Sequence, residues 1–465
     1  MPDVAVTAAA MVVQSAAGQL DIAREGLATP LGERLVGLLG MAVMIAIAWL
    51  LSNNRNRVNW RLVGMGVVVQ VAFGFLVLKT PVGRGLFRGA NAVFLKLLEF
   101  TKEGAAFIFG SLVNDMVPVG TLSGEPPQVT PVSSPELWIN AGASIAFFVL
   151  PTIIVFSSLM SILYHLGLMQ WLVRGIAWVM QRSMRTSGAE TLSVAGNIFV
   201  GQTESPLLIR PFISGMTMSE LNTVMVGGFA TIAGGVMAAY VGMLSPYFPD
   251  VAGHLLTASV INAPAALFIS KILVPETGEP ATTSVNVKVE KTEVNIIDAA
   301  AAGAAQGLKL ALNVGAMLLA FVALIAMVNA AIGGLGGLLG HSELSLQMIF
   351  GWVLSPLAWL MGVPWADAGE VGALLGLKVT VNEFVAYLDL AHIMQGADSL
   401  SPRGTLVATY ALLGFANFAS IAIQIGGIGG IAPDRRSDLS RLGIKAMIGG
   451  NLAAFMSASL AGMIL

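Results

Sequence analysis

Between residues 187 and 217 an apolar segment opens with Ser187-Gly188-Ala189-Glu190 and is interrupted by Gly201-Gln202-Thr203-Glu204-Ser205-Pro206. Ser187 with Glu190 has the form of a capping box that starts a helix. Pro206 suits the first turn of a second helix, where its missing N–H costs nothing. The polar tip therefore reads as a loop between two half-helices, each too short to cross a hydrocarbon core of roughly 30 Å alone. A carboxylate at that depth costs about 3 kcal/mol or more, so Glu204 must face protein, water or a ligand. Its blander use, an ion pair with Arg210, leaves Gln202 and Thr203 unexplained.

A second segment, 366 to 398, has the same form. There Gly376-Leu377-Lys378-Val379-Thr380-Val381-Asn382-Glu383-Phe384 puts an amide and a carboxylate where apolar residues stop, and Glu383 mirrors Glu204. The alternative is a structural network of Lys378 with Asn382 or Glu383. Two carboxylates approaching the midplane suit a ligand rich in hydroxyl and N–H groups, because an ionised carboxylate only accepts hydrogen bonds. A sugar or nucleoside fits that rule better than an anion. Asn417 and Ser420, spaced by three, share a helix face, either as part of a site or as helix–helix glue. Thr231 with Gly234 and Gly235 serves close packing or marks an unwound turn that offers carbonyl oxygens to a cation.

The composition places these breaks in lipid. Of 465 residues, 56% are hydrophobic and 11% charged, and the mean hydropathy is +0.81, which a water-soluble surface of this size does not tolerate. Apolar stretches long enough to span occur near 35–52, 58–80, 138–167, 219–246, 252–274, 308–338, 402–430 and 442–465, about eight in all. With no cysteine and a net charge of −2, thiolate chemistry is excluded and no nucleic-acid surface is indicated. His165, His254, His341 and His392 have no metal-ligand spacing. An intramembrane hydrolase would rest on Ser205 beside Glu204 with no nearby histidine, and a channel would use the carboxylates as selectivity groups. Neither accounts for the paired breaks as well as a carrier does.

Basic clusters at Arg55, Arg57 and Arg61, at Arg174, Arg182 and Arg185, at Lys271, Lys288 and Lys291, and at Arg435, Arg436, Arg441 and Lys445 are expected to face the cytoplasm. The region between Lys102 and Arg174, carrying Asp115, Glu125 and Glu136, is expected outside. This alternation puts both termini outside and makes the two broken segments enter from opposite sides. Related sequence follows each of them: Gly228-Phe229-Ala230-Thr231 and Gly414-Phe415-Ala416-Asn417. The expected fold is an all-α polytopic membrane protein of about eight transmembrane helices plus two re-entrant helical hairpins in an inverted repeat, an arrangement that builds a central site in secondary carriers. Arg84 to Phe100 reads as an interfacial helix, residues 276 to 297 as a cytoplasmic connector, and the first thirty or so as an extramembrane extension.

Three long motifs give the chain a family likeness. Gly201-Gln202-Thr203-Glu204-Ser205-Pro206-Leu207-Leu208-Ile209-Arg210-Pro211, Asn382-Glu383-Phe384-Val385-Ala386-Tyr387 and Gly414-Phe415-Ala416-Asn417 resemble the signatures of the concentrative nucleoside transporters, from about residue 36 to the end. The resemblance implies a homotrimer of the cell inner membrane that imports nucleosides of the uridine, cytidine and adenosine class with sodium as coupling ion and no other cofactor. It places Gln202, Thr203, Glu204 and Val236 at the nucleobase, Glu383, Asn417 and Ser420 at the ribose, and Phe415 against the nucleoside. Sodium would sit near Asn197, Val200, Thr231 and Ile232; Thr231 stands where family members often carry serine. The Gln-Thr-Glu-Ser-Pro run resembles the sodium-coupled branch more than the proton-coupled one. The implied division is an N-terminal extension (1–34), a mainly scaffold part (35–186), a transport part with the first hairpin (187–274), a connector with an interfacial helix (275–307), a scaffold span and connection (308–365) and a transport part with the second hairpin (366–465).

Overall fold

The computed structural model describes residues 31–114, 145–280, 293–338, 340–396 and 400–465, with Thr282 and the backbone of four short strands between 116 and 140. Residues 1–30 of the N-terminal extension, Asp115, Glu125, Glu136 and the connector bases Lys288 and Lys291 lie outside what is described, and the last four residues of the expected extension, 31–34, belong to the first helix. The chain is helical apart from two small antiparallel ribbons, Met116–Pro118 with Trp138–Asn140 and Gly120–Ser123 with Gln128–Pro131. Helices are stable here because their backbone groups satisfy one another where water is absent.

Helix α1 covers Leu31–Leu50, α2 Trp60–Lys79 and α3 Pro81–Phe109. Asn59 and Thr80 cap the last two, accepting hydrogen bonds from Leu62 N and Gly83 N. Helix α3 buries Phe87, Asn91, Leu98, Thr101 and Ala105 along one stripe and exposes Leu86, Val93, Phe100 and Phe107. It is amphipathic as expected, though longer than Arg84 to Phe100 at both ends. A π-helical turn, Ile145–Val149, leads into α4, Leu150–His165. Helix α5, Leu168–Met184, has no counterpart in the sequence reading. It buries Met169, Val173, Ala177, Met180 and Met184 at helical spacing, while Trp171 and Trp178 stay exposed. Arg174 and Arg182 diluted its apolar content below that of a span, which hid an amphipathic helix.

The first hairpin follows as α6, Gly188–Gly196, and a 3₁₀ segment Ser205–Gly215, kinked at Ile209 ahead of Pro211. Helix α7, Met218–Ala230, and α8, Gly234–Leu244, form one apolar crossing with an extended break at Thr231. Helix α9 is Val251–Leu273. Helix α10, Ile296–Gly337, has 42 residues and so spans about 63 Å at 1.5 Å per residue. The separate interfacial helix expected within 275–307 is thus the first part of this continuous rod: its Ala-rich start contains nothing that stops a helix. Gly303 and Gly307 let α10 lie directly on the backbone of α4 at Ser157, Ser158 and Ile154.

Helix α11, Leu346–Leu360, packs tightly on α12, Ala368–Thr380, through Gly351, Gly369 and Gly372. Helix α13, Glu383–Gln395, completes the second hairpin. The expected span 402–430 is divided into α14, Pro402–Leu412, and α15, Phe418–Ile431, and α16, Arg436–Ile464, closes the chain. Seven helical crossings are long and apolar enough to span a membrane among the described residues. The eighth falls short because Gly414 adopts φ 105°, a left-handed conformation that ends a helix and that glycine takes without strain. Helices α7, α8, α9, α14 and the later part of α16 are buried almost throughout.

Candidate functional site

The second hairpin turns at Val381, and Asn382 caps α13 by accepting from Val385 N at 2.9 Å. This cap sets Glu383 in the first turn, where the helix dipole favours a carboxylate. Glu383 is 4% exposed and its two oxygens are held from different helices. Tyr240 of α8 donates to Oε1 at 3.1 Å and Asn417 donates Nδ2–H to Oε2 at 2.8 Å. Asn417 in turn caps α15, its Oδ1 accepting from Ser420 N at 2.9 Å. The same amide therefore begins a half-helix and braces the carboxylate.

Ser420 connects this group to the first hairpin. Gln202 Nε2 reaches Ser420 Oγ at 3.4 Å, and Gln202 Oε1 accepts from Gln424 Nε2 at 3.0 Å. Gln424 lies one turn beyond Ser420 and also donates to Met225 O at 3.1 Å. Glycine at 228 makes room for this amide pair, since a Cβ there would overlap both Gln202 and Gln424. A buried chain of polar groups thus runs from Gln202 through Ser420 to Asn417, Glu383 and Tyr240, bringing both hairpins and both breaks together.

The broken spans are fixed in matching ways. Asn262 of α9 donates to Ala230 O at 2.7 Å, and Asn451 of α16 donates to Ala416 O at 2.9 Å. Ala230 and Ala416 hold the same place in the two Gly-Phe-Ala sequences. In each half, then, the helix after the break supplies an asparagine to a carbonyl that has lost its helical partner. Lys378, fully buried, donates to Ala411 O at 2.8 Å and Leu413 O at 3.2 Å, and its ammonium lies 5.5 Å from the Phe455 ring centre. Gly414 brings the two breaks into contact, as a Cβ there would strike the Phe229 and Ala230 carbonyls.

Other expected site residues are more dispersed. Val236 is buried on α8, one turn from Tyr240, and Phe415 is half-buried in the second break. Thr203 lies against Gly427 of α15. Glu204 is exposed and its carboxylate lies over Gly201, and none of the hydrogen bonds joining Gln202, Glu383, Asn417 and Ser420 includes it. Tyr240, Gln424, Asn262 and Asn451 were missed from sequence, and Lys378, expected with Asn382 or Glu383, donates to the Ala411 and Leu413 carbonyls instead. Asn262 and Asn451 lie among other polar residues of α9 and α16, and Gln424 shares α15 with Ser420, so no local signal singles them out.

Among the expected cation ligands, Asn197 and Thr231 stand out. Asn197 caps the end of α6 at 1% exposure, and neither its amide oxygen nor its nitrogen has a protein partner. A buried amide without partners is expensive, and a hard cation is a natural acceptor-seeking occupant. Phe199 O accepts from Gly234 N at 3.1 Å, which draws residues 197–200 against the first break. Thr231 adopts φ −124°, ψ 174° there, so backbone carbonyls leave the helical ladder near its hydroxyl, itself donated to Gly227 O at 2.9 Å.

Models of known families cover most of the chain: the Na+ dependent nucleoside transporter N-terminus matches residues 39–112, nucleoside recognition (gate) 146–247, and the Na+ dependent nucleoside transporter C-terminus 254–462. An uncharacterized transporter of Haemophilus influenzae is 44% identical over 92% of this chain and 97% of its own length. Sodium/nucleoside cotransporter 1 of Rattus norvegicus is 41% identical over 93% of this chain and 64% of its own. Among solved structures, CNTnw in an inward-facing substrate-bound state is 45% identical with a TM-score of 0.82, covering 92% of this chain and 97% of that one. A CNTnw variant in an outward-facing state gives 45% and 0.83, covering 94% and 98%. With family models along its length and a 44% identical relative matched over 97% of its own length, the chain belongs to the concentrative, Na+ dependent nucleoside transporter family, whose members are transporters and not enzymes.

Proposed function

We propose that this chain is a secondary active symporter that imports nucleosides of the uridine, cytidine and adenosine class together with sodium. The observation that carries the reading is the buried Glu383 carboxylate, braced by Tyr240 and Asn417 and joined through Ser420 to Gln202 of the other hairpin. Two of roughly four lone-pair positions of that carboxylate are taken by protein donors, leaving acceptors for the ribose hydroxyls. Asn417 and Ser420 complete the ribose side. Gln202, Thr203 and Glu204, with Val236, address the nucleobase, which presents both donors and acceptors to an amide, and Phe415 packs on the nucleoside. Glu204 reaches the base only if the first tip rearranges when substrate enters.

Sodium held by Asn197, Val200, Thr231 and Ile232 orders the first tip, so nucleoside and ion bind with a coupling free energy shared between them. One charge moving through 100 mV supplies about 2.3 kcal/mol, and a tenfold sodium gradient adds about 1.4 kcal/mol. Together these support accumulation of roughly several hundredfold. The hairpins and broken spans, 187–274 and 366–465, move as a transport part through a scaffold in an elevator-type cycle. The exposed apolar face of α10, with Leu312, Leu319, Met327 and Leu335, supports a scaffold that meets lipid and two further copies in a homotrimer. The positive clusters support an inner-membrane orientation with both termini outside. Radiolabelled uridine uptake into proteoliposomes at fixed pH tests this: uptake is expected with external sodium and lost with choline. Equal uptake in both, raised by an inward proton gradient, would transfer the coupling to protons.

A further inference from the structure

Helix α5 turns a sorted face outward. The stretch from Leu166 to Ala189 holds three arginines and no Asp or Glu. With its buried stripe turned inward, α5 packs on α6 of the first hairpin and on α2. At about 100° per residue, the exposed arc opposite begins with Arg174. Trp178, Trp171 and Arg182 follow in the middle, and Leu168 and Val179 lie on the far flank, all of them exposed. One flank is thus charged and the other apolar, with two tryptophans between them that are 78% and 63% exposed. Tryptophan favours the level where headgroups meet acyl chains, and this order is the one a helix lying in that plane needs. Arg185 then ends the helix at φ 57°, ψ 42°, and among the described residues it alone adopts a positive φ without being glycine. A glycine would sit there without strain, so what the arginine adds is its charge. No ion pair among the described residues includes Arg182 or Arg185.

We infer that α5 is a binding surface for anionic phospholipid. Arg174, Arg182 and Arg185 take the headgroup phosphates, bidentate pairing being the strength of a guanidinium, while Leu168 and Val179 meet the acyl chains. The surface adjoins the first hairpin directly. Arg185 is followed by Thr186, whose hydroxyl lies 2.7 Å from that of Thr191 in α6, and then by Ser187, the first member of the α6 capping box. A headgroup held at Arg185 therefore steadies the root of the hairpin that carries Gln202. The inference needs only a membrane-embedded chain and is independent of which solute or ion is carried.

Tryptophan quenching by brominated lipids in mixed micelles tests this on the full chain. The difference between wild type and Trp171→Phe/Trp178→Phe isolates the signal of α5 from the other tryptophans. Each arginine close to an anionic surface strengthens binding by about fivefold. The α5 signal is therefore expected to reach half-maximum at a mole fraction of brominated phosphatidylglycerol about ten- to a hundredfold below that of brominated phosphatidylcholine. Arg174→Gln/Arg182→Gln/Arg185→Gln should bring the two lipids within about twofold, while Arg436→Gln/Arg441→Gln, at exposed arginines elsewhere, keeps the preference. Arg185→Gly removes the charge together with the left-handed strain, and is expected to lower the preference about fivefold without lowering the melting temperature; it decides the matter if the triple variant does not fold. Equal half-points for the two lipids in wild type would overturn the inference, as would a preference unchanged in the α5 variants or lost equally in Arg436→Gln/Arg441→Gln. Quenching by neither lipid would show that protein covers this face, and would overturn it too.

Discussion

Replacing Glu383 with glutamine keeps the shape of the side chain and changes only what it can accept. In the native arrangement both oxygens receive protein hydrogen bonds, from Tyr240 at 3.1 Å and Asn417 at 2.8 Å. An amide has one oxygen, which keeps the Asn417 bond, while its NH₂ faces the Tyr240 hydroxyl, which can turn to accept. Each charge-assisted bond is worth about 1.5–3 kcal/mol against about 0.5–1.5 kcal/mol for a neutral one. Weakening two bonds to the ribose therefore costs nucleoside binding about 2–3 kcal/mol, a loss of roughly 30- to 100-fold in affinity. Folding should suffer little, because removing a buried charge relieves desolvation while the packing is kept. Uridine affinity would be measured by calorimetry at saturating sodium, beside a melting curve in detergent. A folded Glu383→Gln protein whose Kd differs from wild type by less than about threefold would refute the assignment of this carboxylate to the ribose.

Asn197→Ala is expected to raise the sodium concentration for half-maximal uptake by about tenfold, equivalent to one lost ligand of about 1.4 kcal/mol, with uridine affinity restored at saturating sodium; a sodium titration of uptake checks it. Asn262→Ala and Asn451→Ala each orphan a break carbonyl, and each should lower stability by about 1–3 kcal/mol, visible as a reduced detergent melting temperature. Lys271 forms ion pairs with Glu190 at 2.8 Å and Glu276 at 3.2 Å under the root of the first hairpin. Lys271→Met strands Glu190, which is 1% exposed, and should destabilise by about 3–5 kcal/mol, read as loss of the monodisperse peak on size exclusion.

The sequence carries the hairpins openly because their signals are local. Capping boxes form at Ser187 with Glu190 and at Thr217 with Glu220, and the polar tips stand out against apolar flanks. The fates of single polar residues are not local. Tyr240 meets Glu383 across 143 positions and Gln424 meets Gln202 across 222, and no spacing rule connects them. Gly414 hides its break for a related reason: Leu412-Leu413-Gly414-Phe415 is as apolar as an intact helix, and only the backbone angle reveals the turn. Lys378 read locally as a partner for Asn382 or Glu383. Its ammonium instead binds carbonyls of α14 and the second break, because a half-helix end beside a broken helix collects more unpaired oxygens than the tip does.

The most direct measurement of the central claim is uridine binding to the purified protein by calorimetry, with sodium exchanged for choline at constant pH and ionic strength. Binding that is tight in sodium and weakened at least tenfold in choline is expected, since the ion at Asn197 orders the tip that carries Gln202. Equal affinity in the two buffers, from protein shown to be folded, would contradict it.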